Sequence, residues 1–206
     1  MKTLKPSFTF LVVVLALLVM YAGNLPAQEE KTDSSRFSHN GLKVSIAMGK
    51  ANPASDLNLN TGNLFSLSLG YGFFNNFTVW LSGGSAQHRN KPANNTKTSY
   101  VNFELGLQYK FLSQSRLQPY GKFSGGVYLL NNENSDVTDK VGNGFALAAG
   151  ADYFFSRHFG FGVEVNYKLV DFTEEFRKVG GETKSVELDP ALNGDSVSFM
   201  IAFTIQ

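Results

Sequence analysis

The 206-residue chain contains no cysteine, one tryptophan and only three histidines. Without cysteine there can be no disulfide, thiolate metal site, cysteine nucleophile or lipid-modified N-terminal cysteine. Charged residues are scarce too, at 17% of the chain, against roughly 25% in soluble domains. The two signs nearly cancel to a net charge of +1. The chain therefore lacks the basic footprint of a nucleic-acid binder, and no nucleic-acid partner is expected. Beyond its first segment it has no apolar run long enough for a spanning helix and no convincing helical period.

That first segment, "MKTLKPSFTFLVVVLALLVMYAGNLPAQEE", places Lys2 and Lys5 before an apolar run from Phe8 to about Ala22. A small-residue ending, "NLPA", precedes Gln28. This is the three-part pattern of a secretory signal peptide, with cleavage expected after Ala27. The alternative, an N-terminal anchor, would need an apolar run of about 20 residues, longer than this one. Removing residues 1–27 takes away two of 18 bases and none of the 17 acids, leaving 16 and 17 and a net charge of −1. Residues 28–40, "QEEKTDSSRFSHN", are polar and aperiodic and are expected to form a flexible lead-in.

From residue 41 one pattern repeats. "VNFELGLQYKF" (101–111) puts Val101, Phe103, Leu105, Leu107, Tyr109 and Phe111 on one side of an extended chain. Asn102, Glu104, Gly106, Gln108 and Lys110 fall on the other. The same alternation runs through 41–50, 63–73, 77–86, 144–154, 159–169 and 197–205, and more weakly through 119–129. Eight strands of about nine to eleven residues each have the length that a tilted strand needs to cross a bilayer. Tight connections at 73–77, 112–118 and 155–159 alternate with longer polar ones at 50–62, 87–98, 130–143 and 170–195. Short turns at one end and long loops at the other are the arrangement of an outer-membrane barrel. The even strand count puts both ends of the barrel segment on the short-turn, periplasmic side.

Three features turn the apolar face toward lipid. The opposite face is rich in small residues, such as Ser66, Ser68, Gly70, Gly72, Gly160 and Gly162. These suit a narrow lumen better than the wet face of a soluble sheet. Aromatics gather beside the short turns: Phe73, Phe74, Phe77, Tyr109, Phe111, Tyr153, Phe154, Phe155 and Phe159. Nothing in the sequence offers a helix to cover an open sheet, and a closed barrel needs none. A soluble periplasmic β-sandwich or lipocalin-like barrel is the competing fold, but eight aromatic strand faces would overfill its interior.

"QPYGKFSGGVYL" (118–129), following a short turn, resembles the fifth strand of small OmpA/OmpX-type outer membrane protein beta-barrel chains. "VEVNYKLV" (163–170) is similar to the acidic-and-tyrosine strand of the same family. The resemblance covers about residues 41–206. It implies an all-β fold, an eight-stranded antiparallel up-and-down transmembrane barrel in the outer membrane. Such barrels often end in phenylalanine, whereas this sequence ends "FTIQ", with Phe203 three residues short of the end. No peptidoglycan-binding segment, found in some relatives, is expected after the last strand.

On the face assigned to the lumen lie Lys43, Glu104, Lys110, Lys122, Asp152, Glu164 and Lys168, four bases and three acids. An eight-stranded barrel is just wide enough for side chains to fill, so these are expected to pair in a plugged lumen. Glu104 with Lys122, and Glu164 with Lys122 or Lys110, are the feasible pairs by depth from the short turns. The alternative is a narrow porin in which the same charges line an ion path. A lipid-modifying outer-membrane enzyme would need a nucleophile beside a base. His39 lies in the lead-in, His158 in a short turn, and His88 has Ser85 three residues away, on the opposite face of a strand. No catalytic residue, cofactor or metal is therefore expected. The expected partners are outer-membrane lipids and a surface partner reached through loops 87–98 and 171–195, and the expected assembly is a monomer. Gly180-Gly181 suits a tight turn that would extend the last two strands beyond the bilayer. Asn94-Asn95-Thr96 matches a glycosylation acceptor pattern.

Overall fold

A computed structural model describes residues 40–90, 97–132, 139–179 and 182–206. The expected signal peptide, almost all of the lead-in, the Asn94 pattern and the turn at Gly180-Gly181 lie outside the described residues. Nine antiparallel strands follow one another: β1 (Gly41–Pro53), β2 (Gly62–Gly72), β3 (Phe77–Arg89), β4 (Lys97–Lys110), β5 (Leu117–Asn132), β6 (Asp139–Phe154), β7 (Phe159–Val179), β8 (Glu182–Asn193) and β9 (Ser196–Ile205). Each strand from β1 to β7 pairs with the next. β7 also pairs with β9, and β9 pairs with β1, which closes an eight-stranded barrel. β8 lies outside that ring, against the far end of β7.

Register fixes the shape of the ring. One row runs Lys43, Gly70, Trp80, Gly106, Ser124, Ala146, Lys168, Ser196 and back to Pro53 on β1. The row returns ten residues from where it began, from position 43 to position 53. Ten residues of rise over eight strand spacings tilts the strands by about 40°, inside the usual barrel range.

Side chains alternate around this ring. Leu67, Leu81, Phe103, Phe123, Leu147, Val163 and Ile201 stand on the outside and are about half exposed. Their neighbours in sequence point inward and, apart from Trp80 and Met200, are small or polar. At the short-turn end the outer face carries packed rings: Phe77 on Tyr109 (4.9 Å between centroids), Tyr109 on Phe111 (5.3 Å) and Phe159 on Phe203 (6.0 Å). One aromatic expected in this girdle is elsewhere. Phe154 follows Tyr153 along β6, so its ring points into the lumen and is fully buried.

At the opposite end β6 outruns its expected bounds, starting at Asp139 rather than 144. β7 continues past 169 to Val179 and pairs with β8, in the extension of the last strands that the sequence leads one to expect. The register shifts at Val141/Gly142 opposite Phe172/Glu174, leaving Thr173 as an extra residue on β7. Beyond it, Lys140 and Glu175 pair across the strands at 3.6 Å. Asp195 ties off the junction where β8 gives way to β9: its carboxylate accepts the Val170 N–H at 3.0 Å.

Candidate functional site in the barrel lumen

The tilt raises the hydrogen-bonded row by about one residue per strand, so depth in the barrel follows from register. Lys43, Lys110 and Asp152 then share the lowest level, nearest the short turns. Lys122 and Glu164 share the middle level. Glu104 and Lys168 form the upper one. All seven side chains point inward.

Each level holds an ion pair. Lys110 Nζ lies 3.6 Å from Asp152 and donates to Gln118 Oε1 at 2.7 Å. The same ammonium sits 5.0 Å from the centroid of the Phe154 ring, which explains an aromatic at this inward position. Lys43 lies beside Lys110 and Asp152 and is the surplus cation of the set. In the middle, Lys122 is 3.9 Å from Glu164, whose carboxylate also accepts Tyr120 O–H at 2.9 Å. At the top, Glu104 is the most heavily ligated carboxylate. It accepts from Lys168 Nζ, from Asn102 Nδ2 at 2.9 Å, from Ser124 Oγ at 2.9 Å and from Tyr128 O–H at 3.2 Å.

Glu104 thus pairs with Lys168, not with Lys122. Lys122 lies directly opposite Gln108 in the β4–β5 register, four residues from Glu104. The inward tilt carries Lys168 of β7 to the depth of Glu104 instead. Of the expected pairings, the structure forms Glu164 with Lys122.

The walls of the lumen are unequal. β4 to β7 supply six of the seven inward charges, whereas β9, β1 and β2 supply mostly small groups, among them Ala202, Thr204, Ser45, Ala47, Ser66, Ser68 and Gly70. Long groups reach across into the space left by small ones. Gly70 shows how closely they fit: a Cβ there would lie 2.6 Å from the Trp80 ring. Trp80, the sole tryptophan, points inward and donates its indole N–H to Gln108 Oε1 at 2.7 Å. A cavity of about 50 Å³ remains between Ser45, Ser68, Trp80, Lys122, Glu164 and Thr204. It has room for roughly three to five water molecules.

Above the charges the lumen turns apolar. Tyr100 packs on Tyr128 (5.9 Å) and edge-on to Phe172 (5.9 Å). Leu59, Leu64, Leu130 and Val170 complete the cluster, and Leu188 and Leu192 of β8 lean on it. Sequence reasoning placed Phe172 and the β8 leucines in a solvated loop. Their period-2 spacing continues past the bilayer, but the outward positions there are polar, so the membrane pattern no longer marks them.

The two histidine rings among the described residues are engaged with main chain. His88, buried inside the outer mouth beyond the apolar band, donates from Nδ1 to the Asn60 carbonyl at 2.9 Å. Burial holds its imidazole pKa below the ordinary value. His158 in the β6–β7 turn donates to the Gln206 carbonyl at 2.9 Å. Among the described residues no group of three or more His, Asp or Glu is placed to hold a metal ion.

A closed antiparallel barrel with an apolar outer band, an aromatic girdle and a charged lumen is a membrane-spanning β-barrel of the outer-membrane class. The chain belongs to the outer membrane protein beta-barrel domain family, whose model matches residues 13–202, and it is an outer-membrane protein. Solved structures of similar fold include Neisserial surface protein A (NspA), with TM-score 0.61 and 15% identity over 81% of this chain and 97% of that one. Another is the outer membrane protein OprG from Pseudomonas aeruginosa (TM-score 0.55, 16% identity, 84% of this chain and 99% of that one). A third is Ail, the attachment invasion locus protein of Yersinia pestis (0.50, 13%, 81% and 99%). No curated protein matches the chain in sequence.

Proposed function

We propose that this barrel is a non-conducting, non-enzymatic scaffold that holds its long outer loops and the β7–β8 hairpin at the cell surface for interaction with a partner. The observation that carries this reading is the set of side chains that enters the bore. Three ion-pair levels and a cap of Tyr100, Tyr128 and Phe172 occupy the bore, beside a cavity of only about 50 Å³. A hydrated ion needs a continuous wet path, and the apolar cap interrupts one at the outer mouth. Loops on a rigid frame are the part of such a protein free to vary in chemistry, so binding belongs there. The relation of Ail, described as an attachment invasion locus protein, agrees with a surface role, although its likeness here is one of fold. Purified barrel in planar bilayers is expected to give no steady conductance. Stable, single-sized current steps at neutral pH would favour the narrow-porin reading instead.

A further inference from the structure

The three levels of charge inside the bore do not balance. Four bases and three acids point inward. Lys168 holds Glu104, Lys122 holds Glu164 and Lys110 holds Asp152. Lys43 remains, 2% exposed, beside the Lys110–Asp152 pair. Two ammonium groups therefore share one carboxylate. The strands next to Lys43 offer no relief, because β1 itself and its neighbours β2 and β9 contain no acid. A surplus charge taken out of water is costly unless an opposite charge lies close to it.

The cavity of about 50 Å³ adjoins this surplus. Ser45, the next inward residue above Lys43 on β1, is part of its wall. The wall is rich in hydrogen-bond donors that have nothing to donate to. Lys122 Nζ has its 3.9 Å contact with Glu164 and, among the described residues, makes no hydrogen bond. Gln108 accepts from Trp80 through Oε1, which leaves its amide N–H groups without an acceptor among the described residues. The Ser45 and Thr204 hydroxyls share one hydrogen bond at 3.2 Å and so have a hydrogen to spare. The carboxylates in the wall are already engaged. Glu164 accepts from Tyr120 at 2.9 Å and from Asn166 at 3.5 Å, and Asp152 faces Lys110.

We infer that this cavity is a binding site for one small monovalent anion of halide type, held by Lys122, Gln108 and the Ser45–Thr204 hydroxyls and drawn in by the charge of Lys43. Water alone would accept the same hydrogen bonds but would leave the surplus charge standing. A cation would meet a positive field and a wall of donors. Phosphate or sulfate would overfill the space, and as a dianion would be repelled by Asp152 and Glu164. Room for roughly three to five waters takes a halide ion together with a little water. Lys43, Lys110 and Gln118, each at most 2% exposed, close the bore on the short-turn side. Tyr100, Tyr128 and Phe172 close it on the other. The ion is thus an enclosed part of the lumen, taken up as the barrel folds. Its occupancy at equilibrium does not depend on whether the bore conducts.

Trp80 lines the cavity and is the sole tryptophan, so its emission reports the ion directly. The full chain is folded into detergent micelles in sodium bromide, with sodium gluconate, whose anion is too large for the cavity, keeping the ionic strength fixed. Bromide in contact with the indole quenches it. Wild type is expected to show quenching that rises with bromide and reaches a plateau, as binding to one site requires. K43M removes the surplus charge. A unit charge about 7 Å away, at an effective dielectric near 20, is worth more than tenfold in binding, so the half-saturating bromide concentration should rise by at least tenfold. K43M should fold in gluconate at least as stably as wild type. S45A deletes one donor to the anion and should raise the half-saturating concentration by about tenfold. It is a small neutral change and keeps the test valid if K43M folds poorly. Quenching that grows in strict proportion to bromide without a plateau would show collisional contact, an adventitious ion only. That result, no quenching at all, or half-saturation unmoved by K43M or S45A would each overturn the proposal.

Discussion

Replacing Lys168 with methionine is expected to lower the folding stability of the barrel by about 3–5 kcal/mol. The lysine stem would be kept in shape and only its charge removed. Glu104, with 3% of its side chain exposed, would then be a buried carboxylate left with its hydrogen bonds from Asn102, Ser124 and Tyr128 and the weaker attraction of Lys122. Three neutral donors do not replace the lost Coulomb attraction, and the desolvation cost of the anion would stand uncompensated. The double variant K168M/E104Q removes both charges and should recover most of the loss. Urea titration in micelles, followed by the mobility difference between folded and unfolded chain, reads both effects. A K168M barrel as stable as wild type would mean that Glu104 is solvated, and with it the lumen.

Leu81→Arg has the second large expected effect, a loss of about 2–4 kcal/mol for the barrel in a bilayer. Leu81 is 58% exposed, and on the surface of a soluble protein such a change would fall within about 0.5 kcal/mol. Val186 on β8 is 40% exposed but belongs to the hairpin beyond the apolar band. Val186→Arg should therefore be nearly neutral. The two substitutions have the same chemistry at comparable exposure and differ in the solvent they meet. Equal costs in vesicle unfolding experiments would deny that the Leu81 face lies in lipid.

The strands and the sense of their faces were legible because the bilayer imposes a strict local rule. Every second residue of a crossing strand must suit hydrocarbon, and residues 101–111 obey it along their whole length. The same rule hid the outer end of β6, and only the turn signal at Gly180-Gly181 pointed to the extension of β7. Backbone pairing continues to Asp139 and Val179, but outside the bilayer the outward positions no longer need to be apolar. Phe154 was misplaced for a related reason. Aromatic character near a short turn suggests the girdle, whereas parity along β6 sends this ring to Lys110.

Stagger was not legible. Which lysine reaches Glu104 depends on the ten-residue offset accumulated around the whole ring, and no single strand encodes it. The sequence does contain a partial clue. Apart from Lys43 and Met200, the lumen-facing residues of β1, β2 and β9 at the level of the charges are small, and they lie across from long ones on β4 to β7. The inward set of seven charges could be named from alternation alone, while their partners required the register.

Trp80 and Leu81 offer the most direct test of the account, because they are adjacent in sequence and assigned to opposite faces. In vesicles containing lipids brominated near the middle of the acyl chain, bromine quenches indole emission only at close approach. The account predicts weak quenching of wild-type Trp80 inside the lumen, where its N–H bonds Gln108. It predicts strong quenching in the variant W80F/L81W, whose indole would stand in the lipid. Strong quenching of Trp80, with weak quenching at position 81, would contradict the assignment of the two faces.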